Sequence, residues 1–243
     1  MARLLLLFTV LPLLLAAAGA RALPPLHVLI DASTEMPQAQ IAGDRVSAGL
    51  AYDLALELGT RLRREPLLRV LPRRRIGEAL LAGQQADLLC NYLPAWLPAG
   101  LQWIQPFLPD AMLLVSLRSQ VAPRSLADLA GQPIGTVGGF VYPEFEQALG
   151  AEFRREDAPN AQANLRKLAA GRMDHAIIGR TTFEYLLRRD PAGLAVHPPL
   201  VVSSFRTRCA LSPRSSLKLP ELNAAIAALE ADGGLQRLLA RYR

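Results

Sequence analysis

The stretch Ala86-Asp87-Leu88-Leu89-Cys90-Asn91-Tyr92-Leu93-Pro94-Ala95-Trp96-Leu97-Pro98-Ala99-Gly100-Leu101-Gln102-Trp103-Ile104-Gln105-Pro106-Phe107 changes character after its first few residues. Ala86 to Cys90 is a short apolar run, the signature of a strand buried on both faces of a parallel sheet. Beyond it the chain carries an amide, Asn91, and three large amphipathic rings, Tyr92, Trp96 and Trp103. Pro94, Pro98 and Pro106 exclude a regular helix or an inner strand there. A stiff loop bearing such groups past the carboxyl end of a parallel strand suits the crevice where open α/β sheets bind ligands. Trp96, between Pro-Ala and Leu-Pro, reads as a binding wall, whereas Trp103 either joins that wall or caps a core.

Working back from this loop, Leu26 to Ile30 reads as a first strand, followed by Asp31-Ala32-Ser33-Thr34-Glu35-Met36-Pro37 and a polar loop to Gly49. Leu50, Leu54, Leu58 and Leu62 form one stripe of a helix over 50–62. Leu67 to Leu71 is a second strand. Pro72 opens a helix with Ile76, Ala79 and Leu80 facing inward, and Gly83 stops it. With Ala86 to Cys90 as third strand, the order is β-α-β-α-β, hence a parallel sheet with right-handed crossovers.

Forward of the loop the pattern recurs. Met112 to Leu117 reads as a strand, Ser125 to Leu129 as a short helix, and Pro133 to Val137 as a strand entering Gly138-Gly139-Phe140-Val141-Tyr142. Helices are expected over 143–149, 161–170 (ended by Gly171) and 181–188, with strands at Met173 to Ile178 and Val201 to Leu211. Two further helices flank Gly233-Gly234 in the tail. The chain is therefore two similar α/β halves with a tail free to return to the first.

Residues 1–22 read as a cleaved secretory leader: Arg3 begins it, Leu4 to Ala18 is apolar, and Ala20-Arg21-Ala22 is a cleavage site of the small-residue type. No cysteine follows the cut to take a lipid. The remaining 221 residues, 23–243, suit one large domain or two lobes. No later stretch is long and apolar enough to span a bilayer. Localisation is thus expected to be periplasmic. The formal charge of +6 becomes +4 without Arg3 and Arg21, and Lys167 and Lys218 are the only lysines. The arginines lie in scattered groups such as Arg63-Arg64, Arg73-Arg74-Arg75 and Arg188-Arg189, without the aromatic interleaving that grips single-stranded nucleic acid. No nucleic-acid partner is expected. His27, His175 and His197 stand isolated and the two cysteines show no zinc spacing, so neither metal nor other cofactor is expected.

The order of these segments resembles the bacterial extracellular solute-binding proteins of family 3, the amino-acid-type receptors of ABC importers. The resemblance rests on Leu26–Asp31, Gly49-Leu50-Ala51-Tyr52-Asp53-Leu54-Ala55, and Pro72-Arg73-Arg74-Arg75 with Ala79 to Gly83 and Asp87. It continues through Leu126 to Gly131 before Ile134-Gly135, Asn164-Leu165 with Leu168, and Gly171-Arg172-Met173-Asp174. The tail adds Leu222-Asn223-Ala224-Ala225-Ile226 and Ala231-Asp232-Gly233. It covers essentially the whole mature chain. It implies an α/β, two-lobed periplasmic-binding-protein-like fold (type II), with a ligand cleft between the lobes and two crossing segments near Pro109–Met112 and Pro198–Ser203. The lobes would be 23–110 and 111–202, with 203–243 returning to the first. If the tail returns this way, Cys90 and Cys209 lie on neighbouring strands, and they are either a disulfide, where the geometry brings the sulfurs into range, or two free thiols.

The resemblance implies an α-amino-acid recognition set that this chain lacks, so a standard amino-acid ligand is not expected. Amino-acid receptors carry a carboxylate-clamping arginine in the loop after the third strand, and Ala95 to Gly100 contains none. The second-lobe carboxylate that holds a ligand amine corresponds to about Gly179. Phe140 replaces a hydroxyl, and Thr34 an aromatic ring. The candidate ligand residues are therefore Glu35, Arg75, Asn91, Tyr92, Trp96, Gly139, Phe140, Tyr142, Arg180 and Thr181. Arg75 begins a helix, where a positive side chain and the helix dipole favour an anion, or else it is solvated. Arg180 follows a second-lobe strand, and Glu35 suits a cationic group or the surface. Gly138-Gly139 offers backbone N–H groups to an anion. The expected partner is a small, partly apolar solute with a negative group, captured by lobe closure and delivered by a monomer to an inner-membrane ABC permease. A sensing module for a membrane receptor is the alternative. Dehydratase-like enzymes occur on the same fold, yet no nucleophile–base pair stands out, so no catalysis is expected.

Overall fold

The computed structural model describes residues 23–189 and 194–242; the expected leader, residues 1–22, lies outside them. The chain begins with strand β1 (Leu26–Asp31), a hairpin of β2 (Gln40–Ala42) and β3 (Arg45–Ala48), helix α1 (Leu50–Leu62), β4 (Pro66–Leu71), α2 (Arg73–Ala82) and β5 (Leu88–Tyr92). A single 3₁₀ turn at Pro94–Trp96 and the short β6 (Gln102–Trp103) lead into β7 (Leu108–Ser116). A 3₁₀ turn at Leu126–Leu129, β8 (Pro133–Val137), α3 (Pro143–Leu149), β9 (Arg154–Ala158), α4 (Ala161–Ala169), β10 (His175–Gly179) and α5 (Arg180–Arg189) follow. The chain ends in β11 (Leu200–Leu211), α6 (Leu219–Ala231) and α7 (Gly234–Ala240). Among the described residues no helix is long and apolar enough to cross a membrane.

The strands run in the order β4-β1-β5-β11-β7-β10-β8-β9, with β6 beside β11. β1 is parallel to both β4 and β5, as the β-α-β-α-β reading requires. In the second half β8 is parallel to β10 and to β9. The two long strands β7 and β11 join the halves. They pair antiparallel from Leu200↔Leu114 to Thr207↔Leu108, after which β11 pairs with β5 from Arg208↔Tyr92 to Leu211↔Leu88. The segments expected to cross between lobes, Pro109–Met112 and Pro198–Ser203, thus fall in or immediately before these strands.

Each lobe buries both faces of its sheet, which is why its strands read as continuous apolar runs. In β1, Val28 and Ile30 pack with Leu54, Leu58, Ile226 and Leu235 from α1, α6 and α7. Leu29 points the other way, toward Ile76 and Leu80 of α2, because successive strand side chains alternate. In the second lobe Val115, Ala176 and Ile178 meet Leu168 and Phe183 of α4 and α5. The opposite face sets Leu114, Ile134 and Ile177 against Phe145 of α3.

Several expectations are corrected. The polar loop before Gly49 is the β2–β3 hairpin, whose Ile41 and Val46 rest on the first core. The third strand does not stop at Cys90 but continues through Tyr92. The strand expected from Met112 starts at Leu108, since β7 extends across the junction of the lobes. β9 carries charged, exposed residues and was not foreseen; it forms a sheet edge, where charge discourages pairing with another chain.

Candidate functional site

A cleft of about 170 Å³ opens between the lobes. From the first lobe it is lined by the carboxyl ends of β1 and β5, the loop after β1 and the 3₁₀ turn. From the second it is lined by the loop after β8 and the end of β10. This is the carboxyl-end crevice expected for an open α/β sheet. Six of the ten expected ligand residues line it: Glu35, Asn91, Tyr92, Trp96, Phe140 and Tyr142. Trp96 meets Tyr92 and Phe205 edge to face, with centroids 6.0 and 5.6 Å apart, forming an aromatic wall. Its loop is seated on α2 because Gly77 lets Pro98 approach; a Cβ at Gly77 would lie 2.5 Å from Pro98 Cδ. Trp103 instead packs on the Leu29–Ile76 core.

The cleft arginine is Arg73, the first residue of α2. Its side chain is 7 % exposed and its Nη2 donates to the Trp96 carbonyl at 2.6 Å. A guanidinium therefore reaches the very loop, Ala95 to Gly100, that has no arginine of its own. It lies between the Tyr92 ring (4.7 Å from Cζ to centroid) and the Phe140 ring (5.3 Å), one from each lobe. Asp31 Oδ2 is 3.9 Å from its Nε, close enough for charge attraction but not a hydrogen bond. Nε and Nη1 are buried without an acceptor among the described residues. Such orphaned donors are costly unless another partner supplies the acceptor.

Three carboxylates share the cleft. Asp31 accepts from the Ser33 amide and hydroxyl and from Tyr92 Oη at 2.8 Å. Burial, with Asp31 adjacent, keeps the Tyr92 phenol well above its ordinary pKa and hence neutral. Asp110, from β7, accepts from the Ala111 and Thr181 amides through Oδ1. Its Oδ2 faces Gly179, 3.6 Å from where a Cβ there would stand. The carboxylate missing at position 179 is thus matched in space by one from a crossing strand. Burial raises the Asp110 pKa despite those two amides. Glu35 reaches across the cleft: its Oε1 accepts from the Gln162 amide at the start of α4.

Arg75 is exposed and lies outside the cleft lining. Two residues along a helix turn a side chain through about 200° from Arg73, so the two arginines occupy opposite faces. Arg180 is 41 % exposed and sits 4.0 Å from Glu184 on its own helix, also outside the lining. Thr181 is buried and holds Asp110 through its amide, while its neighbour Thr182 faces the cleft. Gly139, at φ +83°, abuts the Arg73 stem, whose Cγ would be 3.2 Å from an added Cβ. The Tyr142 hydroxyl accepts from the Val137 amide and belongs to the second-lobe core. Asn91, at φ +66°, accepts from the Thr207 hydroxyl and ties β5 to β11. Beside it Cys90 and Cys209 form a disulfide, brought together at a bulge in the β5–β11 ladder. Arg73, Asp31, Asp110 and Phe205 were not singled out by the sequence. Asp31 read as a turn residue, and only its position at the end of a strand hinted at the crevice.

No protein-family model matches the chain, and no curated protein sequence matches it. Solved structures do. An ancestral arginine-binding protein bound to arginine superposes with a TM-score of 0.75 at 17 % identity, over 90 % of this chain and 97 % of that one. The ligand-binding core of GluR0 in complex with L-glutamate gives 0.73 at 16 % identity, over 92 % and 99 %. An ancestral amino-acid-binding protein described as a precursor of cyclohexadienyl dehydratase gives 0.73 at 15 % identity, over 90 % and 95 %. At such identities the likeness establishes the fold: the chain has the two-lobed α/β fold shared by these amino-acid-binding proteins.

Proposed function

We propose that the protein is a periplasmic solute-binding protein that captures a small organic solute by lobe closure and presents it to an inner-membrane ABC importer. The observation that carries this reading is Arg73, a guanidinium buried between rings of the two lobes, with Nε and Nη1 lacking acceptors among the described residues. Opening the lobes withdraws Phe140 from one face of the guanidinium. A ligand carboxylate then reaches the orphaned N–H groups, and closure returns the ring over the ion pair. The anion is desolvated only in the closed form, so its binding favours that form by differential affinity.

Asp110 Oδ2 suits a protonated nitrogen on the same solute, and Trp96, Phe205 and Met112 offer an apolar wall. The volume is comparable to the roughly 150 Å³ that encloses benzene, which suits a molecule of amino-acid size. The solved relatives bind arginine, glutamine or L-glutamate, and an amino-acid-like zwitterion fits the charges found here.

The test is a thermal-shift screen of residues 23–243 against amino acids, carboxylates, aromatic acids and amines. A solute at about 100 times its Kd adds roughly 2.7 kcal/mol, or about 5–10 °C for a chain of this size. A shift confined to one class, lost in Arg73→Ala and weakened in Asp110→Asn, supports the proposal. No shift with any class, or a shift that survives both substitutions, refutes it.

A further inference from the structure

The contact between Glu35 and α4 spans the two lobes. Asn160, the N-cap of α4, satisfies the Ala163 amide within the second lobe. The Gln162 amide, one of the helix donors left without an intrahelical acceptor, is satisfied by Glu35 from the first lobe. The positive pole of the helix dipole favours the ionised carboxyl there and so works against its protonation. Lobe closure therefore completes the cap of α4, and lobe separation leaves the amide to water.

The same contact leaves Glu35 half-buried, with one carboxyl oxygen enclosed. Oε1 has its amide partner, but among the described residues Oε2 is buried with no donor, and Gln38 Oε1 in the same turn is likewise buried without one. Two orphaned acceptors lie in one turn, and a single proton on Glu35 Oε2 would supply a donor there. We infer that Glu35 is a proton-linked latch: the ligand-free lobes close with uptake of a proton at its carboxyl, and lose that closure when the proton leaves.

The electrostatics agree in sign. Burial pushes the Glu35 carboxyl from 4.5 to about 7 in the closed form, against the opposing pull of the Gln162 amide and of Arg166 on α4. Arg166 is the charged group facing it from that helix. The remaining charged groups of the cleft have other partners: Asp31 is held by Ser33 and Tyr92 beside Arg73, and Asp110 by two amides. In the open form a solvated Glu35 keeps its ordinary value. Its closed-state pKa is the higher one, so closure is favoured at low pH and this contribution vanishes as pH rises through about 7. The corresponding closed-to-open ratio is on the order of fifty-fold larger at pH 5 than at pH 8. The inference concerns the lobes alone and does not depend on the identity or existence of a solute.

Small-angle scattering of ligand-free residues 23–243 tests it at pH 5 and pH 8. The wild type is expected to be more compact at pH 5. Glu35→Gln, a neutral isostere that keeps an acceptor for Gln162, is expected to stay compact at both values. Gln162→Pro removes the amide donor, together with the Gln162 side chain, in the first helical turn, which tolerates proline, and is expected to open at pH 5. Asp110→Asn, whose carboxyl also rises on burial, serves as the control and is expected to retain most of the pH response. Wild-type compactness independent of pH, or a Glu35→Gln variant that responds to pH as the wild type does, would overturn the latch.

Discussion

The Cys90–Cys209 disulfide should contribute a large part of the stability of this fold. It joins residues 119 apart in sequence and pins β11, with α6 and α7 behind it, to the sheet of the first lobe. Chain-entropy theory for a loop of that length gives about 4.9 kcal/mol of destabilisation of the unfolded chain at 25 °C. Measured effects for removed native disulfides are typically about 2–5 kcal/mol. For a domain of this size that corresponds to roughly 5–20 °C in Tm. The assay is urea unfolding of the oxidised protein, the dithiothreitol-reduced protein and Cys90→Ala/Cys209→Ala, followed by circular dichroism. Reduction and double substitution should lower stability alike, and amide protection should fall first in β11, α6 and α7. A double variant within 1 kcal/mol of the oxidised wild type would refute the reasoning, because the return segment would then be held by its apolar packing alone.

Two more outcomes follow from single contacts. Gly77→Ala should add about 1 kcal/mol by helix propensity, but its Cβ would meet Pro98 Cδ at 2.5 Å. We expect net destabilisation of about 1–3 kcal/mol in urea titration, with altered tryptophan fluorescence as the Trp96 loop lifts; a stabilised variant would refute the docking. His175 is buried between the Ser116 hydroxyl (2.8 Å) and Gln132 Oε1 (3.0 Å), and burial lowers its pKa below 6.5 while Asp174 opposes. The unfolded chain then binds more protons, so stability should fall as pH drops below 6.5, by at most about 1.4 kcal/mol per pH unit from this group. Urea midpoints at pH 5.5 and 7.5 should show that His175→Gln removes this part of the decline; an unchanged pH slope would sink the assignment.

Local chemistry decided much of what the sequence revealed. The leucine stripe at 50, 54, 58 and 62 marks α1 because burial on one face demands the helical period. Gly83, at φ +67°, ends α2 in a left-handed conformation that costs glycine little. The prolines around Trp96 announced a loop beyond a strand end, and Asn91, Tyr92, Trp96 and Phe140 do line the cleft. Each of these readings needs only neighbours along the chain.

The charges of the site did not follow from the sequence in the same way. Arg73, Arg74 and Arg75 are chemically identical, and helix rotation alone cannot say which one meets Trp96. The packing of α2 on β1 and β5 decides it, burying Arg73 and leaving Arg75 in solvent. Asp110 becomes a cleft carboxylate only because β7 crosses between the lobes and Gly179 leaves room opposite. Glu35 acquires its partner only because the fold sets the start of α4 in the second lobe against the loop after β1. The sequence by itself determined the elements, their parallel order and the aromatic loop, because those rest on periodicity and turn chemistry. Tertiary structure alone selected the charged groups that face one another, since a salt bridge, an orphaned donor or a desolvated carboxyl is a relation between segments distant in the chain.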